Sequence, residues 1–410
     1  MTKSDDKRVP ALRFKGFTDE WEQRKLGNLV TFSKGKGYTK KDLTEKGVPI
    51  FLYGTLYTNF HEKYDDIHTY VKMRSGSIIS NGSEVVLPDS GETALDIARA
   101  SWISKKGVIL AGGLLILYPK DNISSEFLAY SLTYGRNHKT IATKAQGKSI
   151  VHIHKNDLEN IFYRYPRNVN NQKRIIKILD KLNKCILLQQ RKSKQLKLLK
   201  KAMLQTLFAN KIAPQLRFQG FIDSWKQRKL GEVANILRGA SPRPIKDPKW
   251  FDSNSKIGWI RISDVTKQHG RIHNLEQHLS KAGQDKTRVV YPPSLLLSIA
   301  ASVGYPVITY IETGVHDGFV IFDKPKFNVD FMFFKLQQIQ KTWNKYGQPG
   351  SQVNINSSIV SNTKILIPNN NEQLQISNIL KKIEKCIHLQ QGKTKKLKNL
   401  KQFLLQNMFI

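Results

Sequence analysis

Several residue groups have the types and part of the spacing that chemistry on nucleic acid or nucleotides would need. Gly147-Lys148-Ser149 and Gly392-Lys393-Thr394 end as a phosphate-binding loop ends. That loop also needs a glycine five positions before its last one, and those positions hold Ala142 and Ile387. Tyr291-Pro292-Pro293-Ser294 has the paired prolines of an amino-methyltransferase motif but no Asp or Asn before them to hold a target amino group. Pro88-Asp89 is followed by no acid-x-Lys within roughly thirty residues, so a two-carboxylate metal-dependent nuclease site is incomplete. The ten histidines are scattered; His152 and His154 alternate along one face of an extended segment with no third ligand nearby, which favours a surface or base-contacting role. Cys185 and Cys386 lack metal-ligand spacing and fall within apolar helical stripes, where buried free thiols are expected. A reader without an active site of its own is the expectation.

What the chain does offer is basic side chains interleaved with aromatics, hydroxyls and amides. Lys34, Lys36, Tyr38, Lys40 and Lys41 are followed by Tyr53, Tyr57 and Asn59. Later come Arg238, Ser241 and Arg243, then Arg261, Ser263 and Lys267. A comparable phrase occurs twice, with Lys148, Ser149, His152 and His154 in one copy and Ser351, Gln352, Asn354 and Asn356 in the other. Their donors match phosphates and base edges, so all of these are candidate DNA-binding residues. For any single one, a solvated surface role is the alternative. No metal ligand and no directly bound cofactor is expected.

The overall charge agrees. Across 410 residues, 67 Lys and Arg face 32 Asp and Glu, a net +35, and a polyanion is the implied partner. Nucleic acid leads over an anionic membrane surface. The longest apolar run, Gly107 to Tyr118, is too short for a bilayer span and reads as buried strand. The polar start and the scarcity of cysteine point to the cytoplasm.

The elements that must position these residues come in duplicate. Leu12 to Gly27 returns as Leu216 to Gly231 with 12 of 16 positions identical, and Gln172 to Phe208 matches Gln373 to Phe409 at 20 of 37. Each half runs short motif, variable body, long basic helix, and the bodies share only scattered residues. In the first helix Ile175, Leu179, Leu182, Ile186, Leu196, Met203 and Leu207 form an apolar seam, with Gln189, Ser193 and Lys200 at its polar steps. The copy repeats the register. A lone helix with one such seam cannot bury it, and antiparallel packing of the two copies is the expected solution. The helices hold 11 basic residues against one acid and 8 against one, so a role along phosphates or against an acidic partner competes with simple solvation. The bodies read as mixed α and β. Strands are expected at 48–53, 83–87 and 108–118, then at 258–262, 294–299, 307–311 and 318–322; helices at 125–134 and 330–346, capped by Ser124 or Ser125 and by Asn328. Lys211 to Gln215, with Pro214, is an expected extended connector.

The alternation of R-F-x-G-F-x-x-x-W-x-x-x-x-L-G (Arg13-Phe14-Gly16-Phe17-Trp21-Leu26-Gly27 and Arg217-Phe218-Gly220-Phe221-Trp225-Leu230-Gly231) with two helices ending in Leu-Gln-x-x-Phe resembles the specificity subunits of type I restriction–modification systems over nearly the whole chain. The resemblance implies an α+β protein with a pseudo-two-fold internal repeat. It would comprise two mixed α/β target-recognition domains (1–167 and 211–368) joined by a pair of long antiparallel coiled-coil helices (168–210 and 369–410). Each domain would read one part of a split double-stranded DNA site while the helices set the gap. The chain itself would be non-catalytic. Two modification subunits would methylate adenine with S-adenosylmethionine, and restriction subunits would bring ATP and Mg. The rival readings are a degenerate fragment of a fused methyltransferase–nuclease and a basic structural protein binding RNA or DNA.

Overall fold

The computed structural model describes residues 9–120, 122–147, 149–208, 213–300, 303–346 and 355–410. They fall into two compact units, one made of residues 1–190 and 392–410 and the other of residues 191–391.

In the first unit a five-stranded sheet is built from β1 (Val30–Lys34), β2 (Lys63–Tyr64), β3 (Val85–Pro88), β4 (Ser101–Ile103) and β5 (Leu114–Pro119), in the order β1-β5-β3-β4-β2. Strand side chains alternate between faces. Val85, Leu87, Leu115 and Leu117 therefore enter one core while Val86, Leu114 and Ile116 enter another on the opposite side. Both faces are covered, which is why these strands read as unbroken apolar runs. The run at 107–118 is two strands rather than one, 109–110 and β5, because Gly112 and Gly113 turn the chain between them, Gly113 with φ +83°. Helix α1 (Ser125–Thr133) packs on the first face, its N-terminus capped by the Ser124 hydroxyl, which accepts from Phe127 N–H at 3.2 Å.

The second unit repeats this plan. Strands β6 (Asn235–Arg238), β7 (Arg271–Ile272), β8 (Ser294–Ser298), β9 (Pro306–Thr309) and β10 (Phe319–Asp323) lie in the corresponding order β6-β10-β8-β9-β7. Leu295, Leu297, Val320 and Phe322 face one core; Leu296, Phe319 and Ile321 face the other. Helix α2 spans Val169–Thr206, α3 Val329–Ile339 and α4 Asn370–Asn407. Asn328 caps α3 through Phe331 N–H, and the expected helix beyond 339 tightens to 3-10 geometry over 340–346. The expected strand at 258–262 ends at Ile260, since Ile262 begins a short helix.

Each long helix gives one half to each unit. In the first unit Ile175, Ile176, Leu179 and Leu182 of α2 share a core with Leu404, Leu405, Met408 and Phe409, at the far end of α4. In the second, Ile376 and Leu380 of α4 share a core with Leu207 and Phe208, at the far end of α2. The pairing is antiparallel, as the seam required. Cys185 and Cys386 are exposed, a correction to the expected burial: they sit one step off the seam residues Leu182, Ile186, Ile383 and Ile387.

The repeated short motif closes each unit. Its last residues, 22–25 and 226–229, pair antiparallel with 162–165 and 364–367, the strands that precede Pro166 and Pro368. Trp21 and Trp225 are buried beneath. Arg217 grips the fully buried Glu372 with two parallel hydrogen bonds of 2.8 Å, whereas Arg174 lies over Phe14 and Phe17 in the first unit. In the second unit Arg271 links the body to the long helices. It bonds Glu384 at 2.8 Å and Asp330 at 2.9 Å, and Lys200 and Lys381 complete those two carboxylates. Burial disfavours the guanidinium charge, and Glu384 and Asp330 more than offset it. In the first unit Lys401 links the long helix to Glu62 at 2.7 Å, with Tyr134 donating to the same carboxylate.

Leu216 N–H donates to Thr206 at the end of α2, and Leu12 N–H donates to Asn407 at the end of α4, at 3.0 and 2.9 Å. Nine residues separate Thr206 from Leu216, while joining residue 410 to residue 1 would place 14 between Asn407 and Leu12. A circular permutant opened between Lys211 and Gln215, with its present ends joined, should therefore fold. Thermal melting followed by circular dichroism should give a cooperative transition within a few degrees of the parent, and loss of that transition would show that the two junctions are not equivalent.

Candidate nucleic-acid interface

The two units share a backbone crossing at one end of the sheet. In the first, Gly35 N–H donates to Leu114 and Lys36 N–H to Leu110; in the second, Gly239 N–H donates to Phe319 and Ala240 N–H to Val315. A Cβ at Gly35 would lie 1.9 Å from the Ala111 carbonyl oxygen, and one at Gly239 would lie 2.2 Å from that of His316. Only glycine permits this approach. The crossing aligns Lys34 with Arg238, and Gly112 with Asp317.

Of the first unit's candidates, Lys34, Lys36 and Tyr53 lie at this crossing, Tyr53 against Gly113. Lys34, Lys36, Lys40 and Lys41 are exposed, and none has an acidic partner among the described residues. Lys40 and Lys41 ride a single 3-10 turn capped by Thr39 and Asp42, and Asp42 also binds Arg74. The backbone hydrogen bond from Thr39, then Arg74, holds the Asp42 carboxyl below its ordinary range. Tyr38 is the pivot of this loop rather than a free contact. It is buried at φ +58°, its hydroxyl meets Ser77 Oγ and Arg74 N–H at 2.7 Å each, and Arg74 lies over its ring. Tyr53 is exposed and packs on Gly113. Tyr57 donates to the Ser90 carbonyl at 2.6 Å, and burial pushes its hydroxyl pKa up, so it is a strut. Asn59 is exposed, its carbonyl accepting from Tyr64. Ser149, His152 and His154 are exposed, with the two imidazoles stacked 6.5 Å apart and His152 opposite Ser90. Lys148 lies outside the described residues.

In the second unit the candidates meet at Asp317. Its Oδ2 accepts from Arg243 at 2.7 Å, its Oδ1 accepts from Ser241 at 3.0 Å, and its carbonyl accepts from Arg238 at 3.0 Å. His316 Nδ1 lies 3.0 Å from Oδ1, but Gly318 N–H already donates to that nitrogen, and burial lowers the imidazole pKa. The ring is therefore neutral, and this contact is no ion pair. A cleft of about 840 Å³ borders the cluster, lined by Lys246, Trp259, Arg261, Glu276 and His316 among others. Arg261 and Lys267 are partly spent, Arg261 on the capping Asp264 and Lys267 on Glu276 at 2.9 Å. Ser263 is exposed in the same short helix. Asn356 caps the helix at 357–362 through Ile359 N–H, which removes its carbonyl from the list of contacts. Ser351, Gln352 and Asn354 lie outside the described residues. Sequence reasoning missed Arg74, which lies over Tyr38, and Asp317, on which three candidates converge.

One frame thus carries two unlike sets of basic side chains. A model of the type I restriction modification DNA specificity domain matches residues 18–198 and again 222–399. The chain belongs to this family, the non-catalytic component that gives type I restriction–modification complexes their DNA sequence specificity. It is 24% identical to the MjaVIII specificity subunit of Methanocaldococcus jannaschii, over 94% of this chain and 91% of that one. Its fold matches the specificity subunit of M. genitalium with a TM-score of 0.60 at 14% identity, covering 98% and 99% of the two chains. A chain from a structure addressing assembly of the type I system gives 0.58 at 16%, covering 94% and 96%. No helix among the described residues is long and apolar enough to cross a membrane.

If the unpaired lysines of the first face meet phosphates, K36A combined with K40A should reduce the slope of log affinity against log salt by about 2 and weaken binding to all duplexes alike. A salt titration that leaves the slope unchanged would place these lysines away from DNA.

Proposed function

We propose that each unit reads one half of a split duplex-DNA target, and that the pair of long helices sets the unread gap. The observation that carries this is the preserved crossing at Gly35 and Gly239 beneath two different sets of side chains, lysines and tyrosines in one unit and Asp317-held arginines in the other. Such a chain works in a complex with methyltransferase and restriction subunits. We assign it two modification subunits, one per repeat. S-adenosylmethionine, ATP and Mg belong to the partners in this reading, the protein itself binds none of them, and the complex acts in the cytoplasm. The near-absence of acids on α2 and α4 leaves their outer faces for phosphates or an acidic partner.

Replacing residues 236–368 with the second body of another such subunit should change one half of the methylated motif and leave the other intact, as read by sequencing methylated sites in cells carrying the complex. A change in both halves would end the division into two readers. Inserting four residues near Gln189 and Gln190 lengthens α2 by about 6 Å. At ~3.4 Å per base pair this should widen the gap by one or two base pairs with both half-sites unchanged. Methylation at the original spacing by the folded variant would show that the helices do not set the distance.

A further inference from the structure

Asp317 lies where the first unit has Gly112, and it fixes the direction of two exposed arginines, Arg238 and Arg243. Arg243 has a 67% exposed side chain, so its ion pair with Asp317 adds little to stability. Asp317 itself is mostly covered, at 24% side-chain exposure. It cannot swing, because Ser241 donates to its carboxylate while Asp317 N–H donates back to Ser241 Oγ at 3.1 Å. The anchored carboxylate takes Nη2 of Arg243, and the other N–H groups of its planar, exposed fork have no partner among the described residues. Arg238 is tethered through Nε to the carbonyl of the same residue, and its terminal nitrogens have no partner among the described residues. A fork held in one orientation loses little freedom on binding, and its two parallel N–H bonds match one base edge in the major groove, the O6 and N7 acceptors of guanine. A lysine, or an arginine free to rotate, would serve phosphates equally well. Neither would need an acid placed inside a basic face, where it repels the DNA backbone.

We infer that Arg243 reads a guanine in the half-site of the second unit and that Asp317 is the positioning residue that aims it. This deepens the reading of one unit per half-site and rests on it. It also distinguishes the two crossings: Lys34 and Lys36, with glycine in place of the acid, have no acidic partner among the described residues, while Asp42 holds Arg74 in the neighbouring loop.

The test uses the chain assembled with its methyltransferase subunits. Once the exchange of residues 236–368 has identified the second unit's half-site, each guanine of that half-site and of the other is replaced singly by 7-deazaguanine, which lacks only the N7 acceptor, and duplex affinity is measured. One position should cost the parent about tenfold. That penalty should vanish in R243A, which removes the guanidinium donors, and shrink in D317N with an unchanged melting temperature. If no guanine of the half-site is sensitive in the parent complex, the inference fails whatever the variants do. If R243A weakens all duplexes alike and keeps the penalty, Arg243 contacts phosphate and the inference also fails. A clean exchange with no sensitive guanine would remove the arginine contact and leave the reading standing. A penalty that lies in the other half-site and disappears in R243A would keep the contact and overturn the reading.

Discussion

Each unit hangs on one buried carboxamide. Gln172, the first residue of the repeated helix segment, donates from Nε2 to the Pro166 carbonyl and accepts at Oε1 from the N–H of Ser124, the residue that caps α1. Gln373 does the same with Pro368 and Asn328. Three elements meet there: the strand that closes the unit, the helix that covers the sheet, and the first turn of the long helix. Both side chains are essentially inaccessible, so losing the carboxamide would strand donors and acceptors away from water. The node thus ties the closing strand, the covering helix and the long helix to one another in each unit.

The recurrence of that node and of the glycine crossing explains how unlike faces ride on one scaffold. Both use backbone groups or a single invariant side-chain type between the two copies, and they place no demand on the loop residues around them. In one unit the loop after the crossing closes on Tyr38 and carries unpaired lysines. In the other it closes on Asp317 and carries tethered arginines. The same geometry thus supports exposed lysines beside an Asp42-held arginine in the first case and two Asp317-held arginines in the second.

Much of this was legible in the sequence because periodicity and repetition record burial directly. The seam of α2 and α4 and the strands around 85–88 and 294–298 follow from apolar spacing, and Ser124 and Asn328 from capping chemistry. The misreadings have local causes. Two glycines divide the 107–118 run, a strand period carried on past Ile260 into a helix, and a one-residue offset put the cysteines outside the seam. At the candidate interface, residue type identified the loops but could not show which side chains were already engaged. Tyr38, Tyr57 and Asn356 are consumed by the fold, and only three-dimensional proximity pairs Arg243 with a residue 74 positions away. The Arg271 network was invisible for the same reason, since its carboxylates lie 59 and 113 positions away.

The exposure of the two thiols has a practical side. Cys185 and Cys386 are the chain's only cysteines, they occupy equivalent places in the repeats, and one belongs to each unit. The unaltered polypeptide therefore carries its own pair of attachment points for spin labels or fluorophores. Dipolar or energy-transfer spectroscopy between them would follow the mutual disposition of the two readers in solution, before and after DNA is added, without a single engineered residue.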